Sequence, residues 1–466
     1  MSTHRAAETA CKFLGYDFRG DPRRWQARKC ITEADVPHTD DGLRVLAANG
    51  NWSEVVSLAM KLEETAVENR HHCVLHNKEG NLVQSAEPML ELVARLPYIL
   101  VQVISYFKMQ RVEEAKKLLD TLGDIEGDVF LDPITRENLA PFSLRFLSSL
   151  IPFYMSNPME TLKRLYKLLD EHDKYALNSF SLPSKSFGKK CEQRVKRIQR
   201  ALIYVYYSTG KFELAIKTFQ KMINLDEMVS RMIEDTKCWS QSKRIRYVLL
   251  LQQFACLCLH CGNAVMSGEA FDMIVMISRE NSSSSFFSDN PSKIINEEVD
   301  GSSAEATLYK HIINMNEGFK LIISGKFGEA AECFRFLALQ VSSDINDRSI
   351  QTSDSNTRDS LVVDTLSGVV LQQLKSNAQT SHCTSLLYGS HEDKDDETFL
   401  TQIKDTLEHY LREDPSTIMQ SDAFLGDLVR VYALCGERKE KLEHLAGILE
   451  VFRCDAASLP NMEKMV

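Results

Sequence analysis

Apolar residues recur at helical spacing on both sides of one glycine near the middle of the chain. Before it, Leu202, Val205 and Tyr206 follow the i, i+3, i+4 pattern of an amphipathic helix. Gly210 interrupts this pattern, and glycine readily takes the left-handed conformation that ends a helix. The apolar positions of a second helical stretch come directly afterwards, at Leu214, Ala215, Phe219, Met222 and Ile223. The pattern predicts two antiparallel helices joined by a short turn.

The predicted pair has the dimensions of a known repeat. Small Ala215 would let the two helices approach closely, and Tyr206 and Phe219 are expected to fill the space between them. The unit is about 30 residues long, which is the size of one tetratricopeptide repeat (TPR). Because one such pair cannot bury its own apolar face, several pairs must stack.

Degenerate copies of the pair occur elsewhere in the chain. The clearest spans 312–340, where Phe327, Ala330 and Phe334 follow Gly325 at the offsets seen after Gly210. Weaker copies turn at Gly50, at Gln110 and at Asn157–Pro158, and another ends at Asp414–Pro415. The copies predict an all-α, TPR-like right-handed α-solenoid of about eight helix pairs.

The predicted solenoid covers residues 41–455. Residues 1–40 lack a clean period and are expected to form an irregular arm, and residues 456–466 a tail. Polar, serine-rich or proline-containing stretches predict loops near 123–141, 281–303, 342–360 and 376–397. A helix pair at 244–260 and 268–277 is expected to have a longer turn than the others.

Charge and composition narrow the possible functions. The formal net charge of −10 argues against broad nucleic-acid binding, which needs a clustered basic surface. No apolar run suits a signal peptide or a membrane span. The 12 cysteines have no framework spacing, so reduced thiols are expected. These features predict a cytoplasmic protein with at most peripheral membrane contact.

Two clusters of cysteine and histidine residues could be either chemically active sites or ordinary packing positions. Cys256, Cys258, His260 and Cys261 end an apolar helix and point in several directions around it, which favours packing over zinc binding or redox chemistry. The cluster 71–76 lacks the glutamate of a metalloprotease helix. With no other catalytic constellation in the sequence, we expect a protein that is not an enzyme and that needs no cofactor or metal.

One face of the first central helix is the candidate binding site. By TPR geometry, Arg197, Arg200, Tyr204 and Tyr207 are directed toward the concave groove, and Arg and Tyr are the residues that often carry binding energy in interfaces. Packing of the tyrosines between repeats is the alternative. The preceding basic run could meet anionic lipid or an acidic partner, or it could simply be a solvated helix start.

The Lys and Asn clamp of chaperone-binding TPR proteins is missing. The matching positions hold Arg200 and Tyr204 in the central repeat and Met315 and Phe319 in the later one. A peptide-tail co-chaperone is therefore disfavoured.

Several stretches together resemble one family, that of trafficking protein particle (TRAPP) complex subunit twelve, also called tetratricopeptide repeat protein 15. They are Asn51–Trp52 with its following helix, the run Ala140–Leu147 (APFSLRFL), the central repeat, and Glu413–Tyr432 (EDPSTIMQSDAFLGDLVRVY). Their order and spacing fit the carboxy-terminal region of that family. The resemblance covers roughly residues 40–466.

The resemblance implies a non-catalytic subunit of the TRAPP III assembly, which promotes nucleotide exchange on a Rab-type GTPase. Its partners would be other TRAPP subunits and, indirectly, that GTPase. Its place would be peripheral to the Golgi and the intermediate compartment, in endoplasmic reticulum to Golgi transport and autophagy. The alternative is a TPR adaptor for another assembly of the motor, ubiquitin-ligase or co-chaperone type.

Overall fold

The computed structural model describes residues 31–72, 87–131, 138–177, 185–223, 241–280, 304–351, 358–389, 396–419 and 421–452. Their regular secondary structure is helical, apart from an isolated antiparallel bridge between Leu131 and Asn138. The all-α prediction is therefore confirmed for this part of the chain. The chain divides into two compact units, the first of residues 1–209 with 439–466 and the second of residues 210–438.

The first unit is a series of helices that pack on their neighbours in chain order. They are α1 (Asp40–Ala48), α2 (Trp52–His72), α3 (Glu87–Lys108), α4 (Val112–Asp120), α5 (Phe142–Tyr154), α6 (Pro158–Leu177) and α7 (Lys185–Ser208), with 3-10 turns at Glu33–Asp35 and Asp128–Phe130. Each α-helix contacts the next one, and α3 also contacts α5. This contact pattern is consistent with an α-solenoid.

The second unit repeats this organisation. It contains α8 (Phe212–Ile223), α9 (Gln241–His260), α10 (Ala264–Glu280), α11 (Ala304–Ile323), α12 (Phe327–Gln351), α13 (Arg358–Gly389), α14 (Asp396–Glu413), α15 (Pro415–Ile418) and α16 (Asp422–Leu434). Alternate helices α9, α11 and α13 contact one another in turn, as well as their chain neighbours. A last helix, α17 (Arg438–Phe452), follows, and its residues from 439 onward belong to the first unit.

One turn geometry recurs between consecutive helices of the chain. A single residue with φ between 58° and 74° stands between the two helices at Gly50, Gln110, Ser156, Gly210, Gly262, Gly325 and Gly436. The sequence predicted four of these residues as turn positions. At the Asn157–Pro158 turn the left-handed residue is Ser156, directly before the predicted pair.

Hydrogen bonds explain why this turn is so short. The N–H of Lys326 donates to the carbonyl of Leu321 at 3.0 Å, and the N–H of Gly325 donates to that of Ile322 at 2.9 Å. This is the Schellman arrangement, which satisfies the last carbonyls of a helix. The carbonyl of Lys326 then accepts the first bond of α12, from Ala330 at 3.0 Å. One residue thus ends one helix and begins the next.

Three predictions about connections are wrong. The loop expected at 342–360 is helical up to Gln351, and the loop expected at 376–397 is helical up to Gly389. The pair at 244–277 has the standard turn at Gly262, and α10 begins at Ala264 rather than at Gly268. The 281–303 loop, residues 1–30 and the tail lie outside the described residues.

The serine and threonine content of α13 misled the loop prediction. Thr380 and Thr384 donate their hydroxyls to the carbonyls four residues earlier, at 2.8 and 2.9 Å. Such bonds satisfy a hydroxyl inside a helix. His382 is buried and its Nδ1 lies 2.9 Å from the hydroxyl of Tyr410. The polar residues of this stretch are therefore partly interior.

The clearest predicted repeat is built around a close helix contact. A Cβ added to Gly318 of α11 would lie 2.4 Å from the ring of Phe334 on α12, and that ring also packs against Phe319 at a centroid distance of 5.5 Å. Only a residue without a side chain fits this place. The glycine seven residues before the turn is thus a packing position.

We predict that Gly325→Ala lowers the free energy of unfolding by about 1 kcal/mol, because alanine is strained in the left-handed region. A Cβ at Gly325 meets no atom within 4 Å, so strain alone causes the loss. Urea denaturation of the full chain measures it. Gly328→Ala, which lies in open space at the start of α12, serves as the control and should not destabilise. An equal loss in both variants would contradict this explanation.

We predict that Gly318→Ala destabilises the protein by about 1–3 kcal/mol, because the added methyl group overpacks the contact with Phe334. The control is Gly268→Ala, also in a helix but with no neighbouring atom within 4 Å of an added Cβ. Helix propensity favours alanine there by up to about 1 kcal/mol. Thermal unfolding of the two variants should shift in opposite directions, and a shared direction would refute the packing argument.

Candidate protein-interaction surface

The four candidate binding residues share one exposed face of α7. Arg197, Arg200, Tyr204 and Tyr207 are spaced by three, four and three residues, which places them along one side of a helix. Tyr204 is 54% exposed and Tyr207 is 36% exposed. The opposite side, with Ile198, Leu202 and Val205, is buried. Whether the exposed face lines a concave TPR groove stays a prediction.

This face is held against α5 by a regular set of ring contacts. The guanidinium of Arg194 lies 5.1 Å from the ring centroid of Phe142, and that of Arg197 lies 4.7 Å from the centroid of Phe146. Further along, the ring of Tyr204 meets that of Phe153 edge-on at 5.5 Å. Residue numbers rise together on both helices, so α5 and α7 run parallel. Each stacked arginine contributes about 0.5–1 kcal/mol where it is exposed.

Aromatic rings continue from α7 across α5 to α3. Tyr154 of α5 meets Phe107 of α3 edge-on at 5.6 Å and its chain neighbour Phe153 also at 5.6 Å. Partial burial raises the pKa of Tyr154, and the nearby Tyr204 adds to the effect. We call Phe107, Phe153, Tyr154 and Tyr204 the aromatic row. It joins three helices of the first unit.

The aromatic row is open to solvent where a partner could reach it. Tyr154 is 48% exposed, and Met155 and Met159 beside it are also exposed. Exposed contiguous apolar groups are characteristic of interaction sites, and aromatic residues and methionine are enriched there. Phe107, Phe153 and Tyr154 were missed in the sequence because their relation to α7 depends on how three helices stack.

A further tyrosine of α7, Tyr206, packs in the interior. Tyr206 is buried, and its hydroxyl lies 2.6 Å from the hydroxyl of Tyr166 on α6. Phe219 packs instead against Phe254 of α9, at 5.5 Å. The contact predicted between Tyr206 and Phe219 stays a prediction, since the two residues belong to different units. Tyr204 is both exposed and packed edge-on against Phe153 of α5, so for Tyr204 and Tyr207 the binding role and the packing between repeats both stay predictions.

A buried arginine fixes the position of α5. The guanidinium of Arg145 donates to both carboxylate oxygens of Glu126 at 2.6 and 2.7 Å and to Glu171 of α6 at 2.9 Å. Burial alone would lower the pKa of Arg145, but its hydrogen bonds to Glu171 and Glu126 outweigh this effect and raise the pKa. Arg145 therefore stays charged and ties the segment before α5 and the helix after it to α5 itself.

Positive charge is concentrated in the sequence of α7. Helix α7 contains seven Lys or Arg residues and one acidic residue, Glu192, which pairs with Lys196 at 2.7 Å. Helix α5 contains no acidic residue. The net charge of α7 is therefore positive, whereas that of the whole chain is −10.

An apolar groove lies between α1 and α3. Its volume is about 370 Å³, and its lining includes Leu43, Trp52, Val55, Tyr98, Val101 and Ile104. Asp40 and Arg44 stand among the apolar residues. Ile104 is one turn before Phe107 on α3, so the groove and the aromatic row share this helix.

The remaining candidate chemistry has a structural explanation. Burial raises the pKa of Cys256 and of Cys258 to about 12, so both stay protonated thiols near neutral pH. No group of His, Cys, Asp and Glu suited to a metal ion occurs among the described residues. His71 and His72 end α2, while Cys73 and His76 lie outside that part of the chain.

Two of the four positions compared with the chaperone clamp are interior. Met315 is buried, and Phe319 packs on Phe334. None of the described helices has the length and apolar character needed to cross a lipid bilayer.

Comparisons with known proteins leave the family open. No protein-family model matches the chain, and no curated protein matches it. The resemblance to the TRAPP subunit therefore rests on the residues quoted above and is treated below as a proposal.

We predict that Arg145→Met lowers the free energy of unfolding by about 3 kcal/mol, because it leaves two carboxylates without their partner. Arg164→Met is the matched control. Arg164 pairs with Glu160 at 2.8 Å within α6 and is 45% exposed, so its loss should cost less than about 1 kcal/mol. Urea unfolding separates the two values, and similar losses would show that Arg145 has no special role.

Proposed function

We propose that this chain is a non-catalytic binding subunit that assembles partner proteins along its helical surface. The observation that carries the proposal is the aromatic row beside Arg197 and Arg200. These residue types dominate the energetic centres of protein interfaces. The tyrosines and arginines are exposed and the two phenylalanines are half-buried, on neighbouring helices that are held together by ring contacts and by the buried Arg145.

We further propose that the stacked hairpins form a TPR-like right-handed solenoid of about eight pairs. The shared turn and the contacts between alternate helices support this arrangement within each unit. A framework of this kind loses little conformational entropy on association, because the binding side chains are already ordered.

For the assembly itself we propose a TRAPP III-type vesicle-tethering and Rab nucleotide-exchange complex. Support comes from the resemblance, and two of its stretches contain residues with buried polar contacts. Arg145 belongs to the stretch Ala140–Leu147. Asp427 belongs to the stretch Glu413–Tyr432 and accepts a hydrogen bond from Thr384 at 2.6 Å. Exchange chemistry would belong to other subunits, with this chain in the cytoplasm at Golgi-associated membranes.

The test is affinity purification of the tagged full-length chain from native cell extract, followed by mass spectrometry. We expect TRAPP subunits with the wild-type chain, and at least about tenfold less of them with the triple variant Arg197→Ala, Arg200→Ala, Tyr204→Ala. The matched control replaces Lys326, Arg335 and Tyr388 of the second unit, which are exposed to a similar extent (54%, 51% and 55%).

The outcomes separate the parts of the proposal. TRAPP subunits that survive the triple variant would keep the assembly and remove the α7 face as its interface. Recovery of a different assembly, of the motor or ubiquitin-ligase type, would replace the TRAPP proposal by the adaptor alternative. Equal loss in both triple variants would point to general destabilisation and contradict a specific interface.

A further inference from the structure

We propose that the face formed by α5 and α7 in the first unit binds an acidic segment of a partner protein that also carries an aromatic or large aliphatic residue. This inference rests on the proposed function as a binding subunit and names the chemistry of the partner. It does not depend on which assembly the partner belongs to.

Charge selects an acidic partner. The exposed guanidinium groups of Arg197 and Arg200 lie on α7, which has seven basic residues and one acidic residue. The neighbouring helix α5 has no acidic residue. Although the chain as a whole has a net charge of −10, the positive charge of α7 attracts an acidic segment to this face. Complementary charge of this kind fixes the place of contact and accelerates association.

The stacked arginines are well oriented to bind carboxylate groups. Arg197 lies with its guanidinium over the ring of Phe146, and Arg194 lies over Phe142 in the same way. A stacked guanidinium keeps the N–H groups on its edge available, and these match the two oxygens of a carboxylate. Stacking also reduces the side-chain entropy that binding would otherwise cost.

The aromatic row supplies the apolar half of the site. Tyr204 is seven residues after Arg197 on the same face, which corresponds to about 10 Å along the helix. An extended peptide covers this distance in about three residues. The partner should therefore place an aromatic or large aliphatic side chain on Tyr204 and Tyr154 about three positions from its acidic residue.

The composition of this face favours a peptide over a lipid surface. Attraction to anionic membranes is a property of clustered basic charge and needs no alternation with rings. Here Arg197 and Arg200 lie in line with Tyr204 and Tyr207, and Lys196, four residues before Arg200 on the same side, is paired with Glu192. Arginine edges beside exposed rings are suited to carboxylates and side chains of a protein.

Site-specific photo-crosslinking in cells tests this inference. The full-length chain carries p-benzoylphenylalanine in place of Tyr204, and in a second version in place of Tyr207, so that the aromatic ring is kept. After irradiation, mass spectrometry identifies the crosslinked segment by its sequence. A third version with the probe at Tyr388, an exposed residue of the second unit, is the control.

We expect crosslinks from positions 204 and 207 to segments with a net negative charge and an aromatic or large aliphatic residue at the crosslinked place. The added pair Arg197→Glu and Arg200→Glu should reduce the crosslink yield by about tenfold or more, since like charges oppose docking. Lys217→Glu, at an exposed lysine of α8 in the second unit that likewise pairs with a glutamate four residues earlier, should have little effect. The control position should give no such segment.

Each other result overturns the inference. Crosslinks to neutral or basic segments, crosslinks to lipid, or no crosslink from either position would each show that this face does not hold an acidic segment. The partner's identity is judged separately. An acidic segment from outside TRAPP would refute the TRAPP proposal alone, and a neutral segment from a TRAPP subunit would refute the acidic-segment inference alone.

Discussion

The structure depends on one backbone constraint, a single left-handed residue that ends one helix and allows the next to begin at once. The carbonyls at the helix end are satisfied by the turn itself, so no longer connection is needed. Glycine takes this conformation without strain, which explains five of the seven turns, at Gly50, Gly210, Gly262, Gly325 and Gly436. Gln110 and Ser156 show that the geometry also forms without glycine.

The same constraint places the candidate site. Phe107 lies three residues before Gln110, Tyr154 lies two before Ser156, and Tyr204 lies six before Gly210. Each member of the aromatic row thus stands within the last two turns of its helix, and ring contacts join α3, α5 and α7 there. Arg145, buried on α5 with its two carboxylates, holds the middle helix. The surface is therefore a consequence of the repeat and of one buried ion cluster.

The sequence was informative wherever local chemistry decides the structure. Periodic apolar residues and Gly325 sufficed to place the turn and the helices on either side of it, because both signals act within a few residues. Helix α12 nevertheless continues to Gln351, through part of a predicted loop. It was misleading for α13, since Thr380 and His382 are polar residues satisfied by partners that only the fold reveals. The exposed stripe of α7 followed from helical spacing. Its contacts with Phe146 and Phe153 depend on helix stacking and were out of reach of a single periodic pattern.

Hydroxyl-radical footprinting of the chain, free and within its native assembly, tests most directly whether a partner covers this row. Tyrosine and methionine side chains report their own exposure, and Tyr154, Met155, Tyr204 and Tyr207 are all exposed in the free chain. The account predicts that their oxidation falls severalfold on assembly while that of Met276 and Tyr388, exposed in the second unit, stays the same. Unchanged oxidation of the row in a fully assembled sample would contradict the claim that this surface binds a partner.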